Sequence, residues 1–535
     1  MSQQDMNNTR QQNTTVGDSS SPWAAEIDDL RQRQAWAKLH GGKENVKRHQ
    51  ELGKLPARSR IDKLLDTQSF REIGSITGQV SYDANGKAQQ MLPSNSIVGT
   101  GKIQQRRVIV SADDFTVRGG SSEASIAEKW IFAERWAIEN KVPLIRLVDA
   151  AGGSIRLLEK LQSTKIPGYS TWLPAQLLSE VPVVGVALGP CAGLGAAKVA
   201  FSHFSIMVED TSQIFAGGPH VVAPGIGQTI DKETLGGHKV HARGSGVVDN
   251  VVSTEEDALQ QVRDFLSYLP PNVHDVPPVS EIRSPELPSS TLNSIIPRNR
   301  RTPYNPRKVL ASILDAGSLF EIGKYWGRAS ITALGRINGR PAGIMINDPM
   351  RFGGSVTADA AEKVTRFIDV CEMFNLPLIN LVDQPGVYVG EQAERSGTIR
   401  HALRLMSTIE QVKVPWATFI LRRAFGIGGG LHSPLSRPII KYAWPSAHWG
   451  SIPVEGGVEA AFRRDIQSSS DPARRKEELL AQYRAYESPF RTAERFGVEE
   501  IIEPSDTVQI LQEWIVDAYE RLPHLTGKLT RTFRG

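Results

Sequence analysis

The stretch Pro143-Leu144-Ile145-Arg146-Leu147-Val148-Asp149 returns 234 residues later as Pro377-Leu378-Ile379-Asn380-Leu381-Val382-Asp383. Other pairs keep the same offset: Gly119-Gly120-Ser121 with Gly353-Gly354-Ser355, Ala127-Glu128-Lys129 with Ala361-Glu362-Lys363, and Gly101 with Gly335. After a one-residue slip, Val181-Pro182 matches Val414-Pro415, and Gly193-Leu194-Gly195 falls on Gly426-Ile427-Gly428. A period this long means a duplicated domain, not a solenoid. Each copy has the same order. A β-rich start (107–111; 341–347) passes through the Gly-Gly turn into an amphipathic helix; the Pro-Leu-Ile-x-Leu-Val-Asp strand, a helix, an apolar strand and the Gly-x-Gly turn follow. Continuous apolar strands alternating with helices predict parallel βαβ units buried on both faces, an α/β fold. One insertion, Ser75 to about Ser96, has no counterpart in copy two.

A chain of 535 residues is long enough for two or more cores. With 40% hydrophobic and 22% charged residues it reads as folded and soluble. The net charge of +4 is too small to argue for a nucleic-acid partner. Two cysteines, Cys191 and Cys371, make no disulfide framework, so a reducing, cytoplasmic setting is expected. The uncharged run 181–197 is interrupted by Pro182, Pro190 and four glycines and ends at Lys198. It therefore reads as a buried strand and a turn, not as a membrane span. Residues 1–22 lack the marks of a targeting segment and read as a disordered tail. Nine of the 32 prolines fall within 270–306, which predicts an extended linker between domains at 23–269 and 307–535.

The common catalytic signatures are missing. Gly99-Thr100-Gly101-Lys102 lacks the spacing of a P-loop, and no Gly-x-Ser-x-Gly elbow, Cys-x-x-Cys or His-Glu-x-x-His occurs. His238 and His241 have the spacing of a ligand pair but no third ligand near them in sequence, so no metal is expected. Cys191 sits in an apolar strand without a flanking cation and reads as an inert buried thiol. Two glycine turns remain, Gly189 to Gly195 and Ala424 to Gly430. Each ends a strand and opens a helix, where backbone N–H groups can hold a negative oxygen. One such turn is adequately explained by close packing of helix on sheet; two at matching positions of a duplication favour two oxyanion holes.

From about Asp29 to Arg531 the chain resembles the carboxyltransferase β subunit of biotin-dependent acyl-CoA carboxylases. In the first copy the segments that carry the likeness are Asp114-Phe115-Thr116-Val117-Arg118-Gly119-Gly120-Ser121, Gly189-Pro190-Cys191-Ala192-Gly193, Glu209-Asp210-Thr211-Ser212 with Gly217-Gly218-Pro219, Leu235-Gly236-Gly237, and His241 with Ser245-Gly246-Val247. In the second they are Gly335 to Pro341, Asp383-Gln384-Pro385-Gly386, Gly397 to Arg400 and Tyr442-Ala443-Trp444-Pro445.

The resemblance implies two tandem crotonase-like domains. The implied reaction moves a carboxyl group from carboxybiotin, carried on a partner chain, to the α carbon of an acyl-CoA. It implies that the amides of Gly193 and Leu194 hold the thioester oxygen and that those of Ile427 and Gly428 hold the biotin ureido oxygen. Gly119, Gly120, Gly152, Gly153, Gly195, Gly217, Gly218, Gly426 and Gly429 would line the substrates. Implied partners are a biotin carboxylase and biotin carboxyl carrier subunit, since no Met-Lys-Met biotinylation motif or ATP-grasp pattern occurs, and further copies of this chain in a homo-oligomer with active sites at subunit interfaces. The chain departs from the family at Asp149-Ala150-Ala151-Gly152-Gly153-Ser154, where Asp-Ser-Gly-Gly-Ala is usual, and at Ile427 and Gly429-Gly430-Leu431. Two alternatives are a non-catalytic scaffold paralogue and a CoA-ester decarboxylase running the same chemistry in reverse.

Overall fold

In the computed structural model, which describes residues 21–164, 166, 168–530 and 533, the segment Leu144–Ala150 is buried at every position. A strand covered by helices on both faces is mostly apolar, and this one, the centre of its sheet, buries Arg146 and Asp149 only with ion-pair partners. The tail expected over 1–22 lies, apart from its last two residues, outside the described residues.

The first sheet has eight strands: β1 (Arg71–Ile73), β4 (Ser96–Ile103), β5 (Arg106–Asp113), β6 (Leu144–Ala150), β7 (Val183–Ala192), β8 (Phe204–Val208), β9 (Gln213–Phe215) and β10 (Asn250–Val252). Their order is β1-β4-β5-β6-β7-β8-β10, with β9 pairing to β7. A separate hairpin, β2 (Gly78–Tyr82) with β3 (Ala88–Pro93), fills the insertion seen in the sequence. The second sheet repeats the plan with β11 (Phe320–Ile322), β12 (Ser330–Ile337), β13 (Arg340–Asn347), β14 (Leu378–Gln384), β15 (Trp416–Phe425), β16 (Lys441–Ala443), β17 (His448–Gly450) and β18 (Glu500–Ile501). In both, the first three strands are antiparallel and the rest parallel. A register shift recurs at matching places, Val148/Ala150 and Val382/Gln384.

The duplication reaches further upstream than the sequence offset reveals. Helix Ala57–Leu64 corresponds to helix Pro306–Ile313 at an offset of 249. Arg58 donates to both oxygens of Glu72 through its two terminal nitrogens, and Arg307 to both oxygens of Glu321 through Nε and one terminal nitrogen. The Asp66 carboxylate accepts the Gln104 and Gln105 amides at the β4–β5 turn; Asp315 accepts those of Asn338 and Gly339 at the β12–β13 turn. The offset changes because copy one carries 15 more residues between these points, the β2–β3 hairpin.

The two sheets also share interior. The largest buried apolar cluster joins Phe204, Phe265 and Leu266 of the first half to Phe367, Ile368 and Phe374 of the second. Asn250 on the edge strand β10 donates to Glu321 O and accepts from Gly323 N, tying one sheet edge to the other. Arg366 reaches Asp249 and the carbonyl of Ser202 and stacks on Phe533. Residues 270–306 contain no strand of either sheet. They leave the first half, where Val273 N donates to Glu180 O, and run along the second, with Ser280 N donating to Gly339 O and Leu287 N to Ala311 O; they include the short helical turns Ser289–Thr291 and Leu292–Ile295.

Candidate active site

Strand β7 ends at Ala192, and helix Leu194–Ala200 begins two residues later. Gly193 makes this corner possible with φ +55° and ψ −112°, a conformation closed to residues with a Cβ. Its own N–H is not free: it donates to Phe215 O at 3.1 Å, extending the β7–β9 ladder. This corrects the pairing of Gly193 with Leu194 as oxygen-holding amides. The first intrahelical bond is Ala197 N to Gly193 O, so the N–H groups left over in the first turn belong to Leu194, Gly195 and Ala196. Leu194 and Gly195 stand opposite Ile427 and Gly428 of the second turn, so the two halves agree once Gly193 is set aside.

The second turn has one feature the sequence reading got wrong. After β15 the helix is a single turn, Gly426–Gly429, and not a full element. A helix macrodipole of more than one turn is present only at the first of the two turns. Gly426 repeats the positive φ, at +61°, and Ile427 is 52% exposed, its side chain turned outward.

The other glycines named from the sequence bring three loops together. Gly119 and Gly120 form a tight turn at φ +64° and +61°, and Ala151 N donates to Gly119 O. A Cβ on Gly120 would stand 2.4 Å from Asp149 O, and one on Gly152 would stand 2.9 Å from Ala192 O. Gly195 faces Ala150, and Gly429 faces Ala424. Ser122 N donates to Gly152 O, as Val356 N does to Gly386 O. Gly153 has open space around it, and Gly217 and Gly218 lead from β9 into helix Pro219–Ile226. Where a Cβ of Gly428 would stand, Gly386 Cα is 2.8 Å and Gln384 Oε1 2.9 Å away.

Behind each turn lies a buried carboxylate that sequence reasoning missed. Asp149, fully buried, is met by Lys54 Nζ at 2.6 Å and Arg60 at 3.0 Å, and Arg60 also holds Glu255. Burial pushes the Lys54 ammonium below its usual range, and Asp149 opposes that shift. Asp383, equally buried, is met by Arg422 at 2.8 Å and Arg423 at 2.6 Å. Gly189 occupies the position that Arg422 occupies in the second copy. A Cβ there would stand 2.0 Å from Asp149 Oδ1 and 2.4 Å from Lys54 Nζ. The glycine makes room for the ion pair. The signal available in the sequence was the repeated Leu-Val-Asp, an acid directly after two apolar residues near the end of a buried strand.

Beside the Gly119–Gly120 turn is an open cleft of about 600 Å³ lined by Arg48, His49, Phe115, Arg118, Gly119 and Arg156, with Glu123 its acid. Cys191 is fully buried, its Sγ directed at the carbonyls of Gly189 and Val148, and burial pushes its thiol well above the usual range. It is no nucleophile at neutral pH. His241 spends Nε2 on Ile214 O and faces Ser245 with Nδ1, so it does not share a ligand with His238.

A description of the carboxyl transferase domain matches residues 48–520. The chain belongs to the carboxyl transferase family. The carboxyltransferase subunit of propionyl-CoA carboxylase from Haloferax mediterranei is 35% identical over 487 residues, covering 90% of this chain and 93% of that one. The methylmalonyl-CoA decarboxylase subunit alpha of Veillonella parvula is 31% identical, covering 90% and 93%. Among solved structures, transcarboxylase 12S, a hexamer crystallised with hydrolysed methylmalonyl-coenzyme A, superposes with a TM-score of 0.84 at 28% identity over 97% of this chain and 99% of its own. The crotonase-like fold of both halves is thereby established, and the carboxyltransferase chain is an enzyme of that type. Among the described residues no helix is long and apolar enough to cross a membrane.

Proposed function

We propose that this chain is the carboxyltransferase subunit of a biotin-dependent acyl-CoA carboxylase. The reaction would pass a carboxyl group from carboxybiotin on a partner carrier to the α carbon of an acyl-CoA. The observation that carries this reading is the matched pair of strand-end turns with uncommitted amides, Leu194 and Gly195 in one half and Ile427 and Gly428 in the other. Bound carboxybiotin supplies the carboxyl group and, once that has left, a basic ureido nitrogen that can take the α proton. A site served in this way needs no side-chain base, in keeping with backbone amides being its recurring element.

The amides of Leu194 and Gly195 stabilise negative charge on the thioester oxygen while the α carbon is deprotonated, worth about 3 kcal/mol per well-placed donor. Those of Ile427 and Gly428 face the ureido oxygen. Arg48, Arg118 and Arg156 in the adjoining cleft suit the phosphates of coenzyme A. The hexameric relative supports an oligomer, and in this reading the second turn of one copy would complete the site of another. A second reading, decarboxylation of a carboxyacyl-CoA, is favoured by the likeness to the Veillonella decarboxylase subunit, and it uses the same amides.

The test is carboxyl exchange between a carboxybiotin carrier and a panel of acyl-CoA esters, beginning with propionyl-CoA, using the full chain. Exchange with at least one ester supports the reading. A chain that binds acyl-CoA but only releases carbon dioxide from its carboxylated ester supports the second; a chain that does neither refutes both.

A further inference from the structure

The acidic residues that the His-x-x-His spacing left unseen come from elsewhere in the chain. Asp210 lies in the β8–β9 turn, at φ +60°. Glu233 lies in helix Lys232–Gly236, and His238 begins the turn after it. One donor atom from each of the three falls within 4.8 Å of the others.

Independent observations at the same place point to a ligand. His238 is 9% exposed, yet its Nδ1 has no hydrogen-bond partner, and its Nε2 is 3.9 Å from Glu209 Oε1, too far for a hydrogen bond. A buried imidazole nitrogen left without a partner is costly, about 1–3 kcal/mol. Gln213 is fully buried; its Nε2 donates to Glu233, and its Oε1 is left without a partner. The hydroxyl of Thr211, beside Asp210, is buried and unpartnered as well. Imidazole nitrogen, amide oxygen and hydroxyl oxygen all carry lone pairs that a metal ion accepts.

We propose that Asp210, Glu233 and His238 bind one divalent transition-metal ion, with Zn²⁺ the best fit to the donors. One imidazole with two carboxylates is a borderline set of the kind zinc takes, and two anions balance a double positive charge. Calcium and magnesium prefer all-oxygen sites with more ligands. Zinc bonds of about 2.0–2.2 Å require the donor atoms to draw closer than they stand. Asp210 is exposed and Glu233 half-buried, so both side chains have room to move. Gln213 Oε1 is the neighbouring candidate for a fourth ligand.

The ion would act as a clasp. It would join the β8–β9 turn to the helix packed behind β9, and β9 pairs with β7 at Pro190, Cys191 and Ala192 and takes the Gly193 amide on Phe215 O. Holding β9 stiffens the support of the first turn without touching substrate. The inference does not depend on the proposed function.

The experiment is equilibrium dialysis of the chelator-treated full chain against ZnCl₂, with metal content read by mass spectrometry, in parallel with Asp210→Asn, His238→Ala and, as a control, His524→Ala. One zinc per chain is expected in the parent and the control. Binding should weaken at least about tenfold in the two site variants, and Zn²⁺ should raise the melting temperature of the parent but not of the variants. Co²⁺ in place of Zn²⁺ should give a d–d absorption band that both site variants lose. Should His238→Ala fail to fold, the exposed Asp210→Asn decides alone. No stoichiometric zinc in the parent, or zinc that survives both substitutions, overturns the proposal.

Discussion

Gly193 and Gly428 are both indispensable, for different reasons. At Gly193 the backbone conformation itself excludes a Cβ; at Gly428 the space is taken by Gly386 and Gln384. Gly193→Ala and Gly428→Ala should therefore each displace the amides beside them and lower carboxyl transfer by about a hundredfold or more, the scale of one lost oxyanion donor, with circular dichroism showing a retained fold. Acyl-CoA titrated without biotin should bind more weakly to the first variant and normally to the second; near-parental turnover in both would refute the two-turn mechanism. His203 gives a pH prediction. It is buried, donating through Nε2 to Leu178 O and accepting at Nδ1 from Val183 N, and burial lowers its pKa to about 3. Between that value and about 6.5 the unfolded chain takes up a proton that the folded chain refuses, so stability falls as pH falls, by about 1.4 kcal/mol per pH unit. His203→Gln keeps one donor and one acceptor and should flatten the fall in melting temperature between pH 6.5 and 4.5; equal slopes would contradict the assignment. At this scale the sequence marked the glycine turn but not which of its amides was free. The acceptor of the Gly193 N–H, Phe215, lies 22 residues further on, in a strand too short to announce itself.

Among elements, the buried strands were the most legible, because β6 and β14 are covered on both faces and their Pro-Leu-Ile-x-Leu-Val-Asp segment is mostly apolar. Helix Gly426–Gly429 was not: the glycines that allow the turn also leave too little helix propensity to continue it. Helix Ala57–Leu64 was not recognised as a partner of helix Pro306–Ile313, since the β2–β3 hairpin breaks the offset. Helix Ala57–Leu64 carries two arginines whose ion pairs differ greatly in weight. Arg60, 1% exposed, holds Asp149 and Glu255, so Arg60→Met leaves two buried carboxylates short of a cation and should cost about 3–5 kcal/mol. Arg58 and Glu72 are in partial contact with solvent, and Arg58→Met should cost about 1 kcal/mol or less. Urea unfolding of the two variants measures the contrast, and comparable losses would mean that the burial of Arg60 is not what matters.

For the molecule as a whole, the duplication could be read directly from repeated words, whereas the contacts between the copies could not. Asn250 and Arg366 face the opposite half, and a repeat offset says nothing about which surfaces meet. Because the largest apolar cluster draws on both halves, calorimetry should show one unfolding transition. Arg366→Met should lower its midpoint without splitting it; two resolved peaks would show that the halves melt independently. Gly189 and Arg422 hold matching positions yet reverse roles: the second half neutralises its buried Asp383 from its own strand β15, and the first, having a glycine there, brings Lys54 and Arg60 from a segment ahead of the sheet. The consequence is a difference in portability. A split or permuted version of the second half carries its counter-ion with it, while a first-half fragment begun at β4 leaves Asp149 without a cation. Any chimera between relatives must therefore transfer residues 54–60 together with the first sheet, and can exchange the second without such a companion.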